Sequence, residues 1–143
     1  MLYEDGCILP REQCVYLYMT SWVSIFSTMY GLYMKLYWIS LIPFSVFCSS
    51  LLYWHKPDYS WRRYVDITIV QIGFITQLYL SINTDIMYVY FTLSFINVLL
   101  FLIGIELYNR FYLWESVITH SFIHFIGNIN NILLYSYLYE AQE

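Results

Sequence analysis

Two of the chain's three histidines, His120 and His124, stand four apart in an apolar stretch. Residues at that spacing share one face of a helix, so the two imidazoles project the same way and can offer two nitrogen ligands to one metal ion. A third ligand from another helix would leave a fourth position open for water, whose pKa zinc lowers toward neutrality. His55 closes a second apolar stretch, and a carboxylate, Asp66, directly opens a third. Asp66 is placed to take the proton of such a water as general base, or to hold the water in position. The polar line around the histidine pair runs on through Ser116, Asn128, Asn131 and Tyr135, and Asp66 begins a matching line with Val70, Gly73 and Gln77. Ser45, Ser49 and Ser50 precede His55. A plainer account covers the same residues: buried histidine and asparagine also join membrane helices by hydrogen bonds worth roughly 1 kcal/mol each. Under that account Asp66 pairs with Arg62 or Arg63 at the surface, and His55 is an interfacial loop residue.

The elements that must position these groups follow from composition. Apolar residues make up 60% of the chain and charged residues 11%, against about a quarter charged in soluble domains, so water cannot be the solvent for most of its surface. Five stretches nearly free of charge, approximately residues 13–34, 36–55, 66–84, 86–106 and 115–139, are each close to the roughly 20 helical residues that cross a bilayer core. None alternates strictly as a barrel strand does. The expected fold is therefore all-α, a single transmembrane domain over residues 1–143 with about five membrane-spanning helices, four or six being the neighbouring counts. The least marked boundary is at Lys35, where a turn has to fit within 33–37. Five crossings put Arg11, Lys56, Arg62, Arg63 and Arg110 on one side and Lys35 on the other, which makes the amino terminus cytoplasmic and the carboxyl terminus opposite. Trp38, Trp54, Trp61 and Trp114 lie near run ends, where indole favours the interface.

The ten acids and six bases are scattered singly, so no basic patch suits nucleic acid, and the expected partners are membrane lipids. Cys7, Cys14 and Cys48 lack metal-finger spacing and are an odd number. The opening MLYEDGCILPREQ is acidic and broken by Pro10, unlike a signal peptide. Ser21, Ser24, Thr28 and Gly31 form a small-residue line suited to close helix packing.

The order of serine, histidine, aspartate and His-x-x-x-His, carried by SSLLYWHKPDYSWRRYVD and HSFIHFIGNINNILLY, resembles the superfamily joining the alkaline ceramidases to the progestin and adipoQ receptors. The resemblance spans roughly residues 36–135. It implies zinc on His55, His120 and His124, with Asp66 handling the proton and Ser50 orienting water or stabilising the oxyanion. The implied activity is a zinc-dependent intramembrane hydrolase cleaving a lipid amide or ester. Two departures stand out. The family has seven helices, and its serine lies four residues before the histidine, where this chain has Leu51, so that a slipped or bulged turn would be required. Two other functions fit the residues: a non-catalytic membrane component with a polar packing stripe, and a small channel or proton carrier using Asp66, Gln77, His120 and His124.

Overall fold

The computed structural model describes Tyr3 and residues 6–141. Six helices follow in order: α1 (Arg11–Ser21), α2 (Ser24–Tyr33), α3 (Tyr37–Trp54), α4 (Trp61–Ser81), α5 (Met87–Asn109) and α6 (Leu113–Glu140). No strand occurs among the described residues. α1 and α2 share the first expected run, and the backbone stays right-handed helical at Trp22 and Val23 between them. The amides of Trp22, Val23, Ile25 and Phe26 each bond three residues back, the tighter 3₁₀ pattern that tolerates only short runs. Hydroxyls explain the tightening. Thr20 and Ser21 both donate to the Leu17 carbonyl, and Ser27 and Thr28 both donate to that of Ser24, so side chains compete with the helix for its own acceptors.

Local chemistry fixes the other ends. α1 starts at Pro10, whose carbonyl receives the amides of Gln13 and Cys14. The turns after α2 and α5 are built alike: Leu36 N–H reaches the Gly31 carbonyl and Lys35 N–H that of Leu32, while Tyr112 N–H reaches Leu107 and Phe111 N–H reaches Tyr108. This is the Schellman arrangement, whose pivot is left-handed, and Lys35 and Phe111 accordingly have φ of 58° and 65°. The tight turn needed within 33–37 is thus made at Lys35. Before α4, the Asp58 carboxylate accepts the Ser60 amide at 3.1 Å and Arg62 Nη2 at 2.6 Å. The serine hydrogen bonds first, and the guanidinium after them, hold the Asp58 carboxyl below its usual range. α4 consequently begins at Trp61, and Asp66 lies inside the helix instead of opening it.

α6 packs on α5, α2 and α1, and α3 packs on α2, α4 and α1. A Cβ on Gly73 would come within 2.8 Å of Ile42, so glycine there lets α4 approach α3. Leu9, Leu17, Trp54 and Val117 centre one apolar cluster; Leu36, Tyr90, Leu134 and Tyr135 centre the other, at the opposite end. Between and around them the interior is largely polar: Ser27, Ser40, Ser50, Gln77, Ser81, Ser94 and Asn130 are buried, whereas Phe26, Trp38, Phe95, Leu102 and Phe122 are exposed. Two helices, α3 and α5, are long and apolar enough to cross a membrane, and only 17% of the most apolar stretch of α5 is buried.

Candidate functional site

The residues with chemical potential fall into two groups along the helices. In the first, Asp66 of α4 is buried against α3, where the hydroxyls of Ser49 and Ser50 each donate to Oδ1 at 2.8 Å. The surface pairing considered for Asp66 does not form: Arg62 is taken by Asp58, and Asp66 has serine partners instead. Ser50 and Asp66 are therefore brought together, as the resemblance implies.

His120 and His124 are also together on α6, with ring centroids 5.2 Å apart at 69°. What meets them from α3 is indole. The Trp54 ring stands 5.1 Å from His120 at 69°, and it packs in turn on Tyr53 at 4.7 Å. His55, the next residue, is the C-cap of α3, is exposed, and sets its ring edge-on to Tyr18 at 6.3 Å. Helical geometry gives the reason. The residue one turn after Ser50 on the same face is number 54, not 55, and α3 is regular through Trp54 with no bulge to carry His55 round. The slipped turn that the spacing required is absent.

The three imidazoles consequently do not converge, and among the described residues no group of three or more His, Cys, Asp or Glu side chains is arranged to hold a metal ion. Indole nitrogen is a hydrogen-bond donor only, so Trp54 cannot substitute as a ligand. The residues present do not fit the three-histidine zinc centre expected from the sequence. Polar atoms nonetheless remain unpartnered: Trp54 Nε1 and His124 Nε2 here, and Gln13 Oε1 on α1, are buried without a hydrogen bond. Gln13 is buried on α1, which packs against both α3 and α6.

No family model, no curated protein and no solved structure matches this chain. The resemblance to the ceramidase and receptor superfamily accordingly rests on the quoted residues alone.

A second polar group lies toward the other ends of the helices. Tyr90 of α5 donates its hydroxyl to Gln77 Oε1 at 3.1 Å, Gln77 Nε2 donates to Tyr135 Oη at 3.0 Å, and the Tyr135 hydroxyl points to the Ile39 carbonyl at 3.5 Å. That carbonyl is free because Pro43, four residues on and inside α3, has no N–H to give it. Asn130 Nδ2 adds bonds to the Tyr90 carbonyl at 3.3 Å and to Ser94 Oγ at 3.1 Å, although its Oδ1 has no partner. Midway along α6, Asn128 Oδ1 accepts the Ser27 amide at 2.9 Å, reaching the first turn of α2 just after the tightened stretch. Gln77, Asn128 and Tyr135 were legible as stripe residues. Tyr90, Asn130 and Trp54 were not, since tyrosine and tryptophan in an apolar run carry no signal of their partners and Asn130 lies one position off the expected stripe.

Proposed function

We propose that the chain is a multi-pass membrane protein crossing the bilayer five times, α1 and α2 together forming the first crossing, and that its interior polar residues join helices without performing chemistry. The observation that carries this is the inverted distribution of polarity: serine, glutamine and asparagine are buried while large apolar side chains of every helix face outward. In water that arrangement would expose an aggregation-prone surface; in lipid it is the ordinary solution, because lipid tails are as apolar as leucine and polar groups seek one another. On this reading Arg11, Lys56, Arg62, Arg63 and Arg110 lie on the cytoplasmic side and Lys35 on the other, with membrane lipids as the surrounding partner. The test is topological. A short epitope inserted at Lys56 is reached by antibody from one face of sealed vesicles, and the same epitope at Lys35 from the other. Access to both from a single face would remove the five-crossing reading.

A second reading, the zinc-dependent lipid hydrolase with Asp66, Ser50, His120 and His124, is favoured by the 2.8 Å Ser50–Asp66 contact and by the partnerless Nε2 of His124. It ranks lower because His55 is held outward and Trp54 occupies the place that the third ligand needs.

A further inference from the structure

At the end of the bundle that carries most of the bases, the amino-terminal segment folds over the helix connections. Ile8 N–H bonds the Pro57 carbonyl at 2.9 Å, and the Tyr108 hydroxyl bonds the Ile8 carbonyl at 3.2 Å. Between this segment, the loop before α4 and the turn after α5 is an open cavity of about 180 Å³. Its walls are chiefly aromatic, Tyr3, Tyr59, Tyr108 and Phe111, with Ile8 and Leu113 as aliphatic floor and Asn109 as the one amide in the lining. No carboxylate lines it among the described residues. Tyr59 and Phe111 are 56% and 76% exposed, so their rings remain available to a ligand.

Phe111 occupies the left-handed pivot of the turn after α5, a position that glycine usually takes and that a bulky side chain adopts against its preference. At that position Phe111 lines the cavity with its ring, where glycine would offer nothing. Beside the cavity, the Arg63 guanidinium stands 5.0 Å from the centroid of the Tyr59 ring. Among the described residues Arg62 pairs with Asp58 and Arg110 with Glu106, while Arg63 makes no ion pair.

Ring faces attract a cation through their quadrupole, and a cluster of four of them, with no carboxylate among the described lining residues, suits a quaternary ammonium. An adjacent unpaired guanidinium suits a phosphate. We propose that this cavity binds a phosphocholine group, its trimethylammonium among Tyr3, Tyr59, Tyr108 and Phe111 and its phosphate on Arg63. The location, level with the lipid head groups, rests on the five-crossing reading above.

The test uses the whole chain in detergent with equimolar phosphatidylcholine, phosphatidylethanolamine and phosphatidylglycerol of matched acyl chains, with retained lipid read by native mass spectrometry. Phosphatidylcholine is expected to be retained at least about five-fold over phosphatidylethanolamine, which keeps the phosphate but has a primary ammonium. Tyr59→Leu and Arg63→Gln should each abolish that preference. Soluble phosphocholine should displace the retained phosphatidylcholine, showing that the head group suffices; failure to displace it would leave acyl chains as the source of selectivity and overturn the site. Equal retention of all three lipids, preference for phosphatidylglycerol, or an unchanged preference in Y59L would also overturn it. A protein that is not embedded in lipid would retain none, which separates failure of the membrane reading from failure of this one.

Discussion

The two polar regions of the bundle are built from similar residues and differ in how their central side chains are paired, although Asn130 Oδ1 in the first has no partner either. Around Gln77 both ends of the amide are used, by Tyr90 and Tyr135, and the backbone acceptor exposed by Pro43 receives a hydroxyl. Around His120 and His124, two buried polar atoms, Trp54 Nε1 and His124 Nε2, have no partner. A side chain paired at both ends in a low-dielectric interior holds its helices at one register, whereas one with an unpaired buried atom contributes little or opposes packing. One region therefore works as a joint, and the other resembles a site whose central position has been filled by an indole.

The comparison breaks first at Gln77. Gln77→Leu removes its bonds to two tyrosine hydroxyls and is expected to lower stability by about 2 kcal/mol, at roughly 1 kcal/mol per interhelical hydrogen bond; Tyr135→Phe removes one bond to Gln77 and a longer one to the Ile39 carbonyl and should cost between about 1 and 2 kcal/mol. Unfolding in mixed micelles measures both, and losses no larger than those of lipid-facing substitutions would show that the network is not a joint. His124→Leu should change stability by less than about 0.5 kcal/mol or raise it, because it removes a polar atom that is buried without compensation. A large loss would mean that the histidine has a partner in the membrane.

The smallest effect concerns the loop before α4. With its carboxyl held below the usual range, Asp58 stabilises the fold at pH values above the ordinary aspartate pKa of about 3.9, and that contribution fades as pH falls through the lower folded value. Asp58→Asn should therefore flatten the acid limb by lowering stability near neutrality, by no more than about 1 kcal/mol for a pair at the surface, and leave stability unchanged at pH values below the folded pKa, where the aspartate is itself neutral. An unchanged acid limb would contradict the assignment.

Much of the helical layout was legible because charge is so scarce that Lys35, Lys56 and Asp85 mark the connections by themselves. The start of α4 was not: Asp66 is the more deeply placed of two nearby acids, and only the hydrogen bonds of Asp58 to Ser60 and Arg62 show which of them belongs to the loop. The histidine pair and the Ser50–Asp66 contact follow from spacing on single helices or from the short α3–α4 connection. The fate of His55 did not follow, because one residue of rotation on a helix, about 100°, separates a ligand facing the bundle from a ring facing outward. The sequence offered His55 as the ligand and Trp54 as an indole at the membrane interface; only packing shows that Trp54 is the one that meets His120.

Trp54 packs on His120 where a zinc centre would need a third imidazole. Zinc titration of the whole protein, followed by thermal unfolding in detergent, tests this most directly when the parent is compared with Trp54→His. The parent is expected to show no zinc-dependent shift, and the variant to gain about 2.7 kcal/mol at a zinc concentration a hundred times its dissociation constant. A parent that purifies with one equivalent of zinc, or is stabilised by it to the same extent, would contradict the account and restore the hydrolase reading.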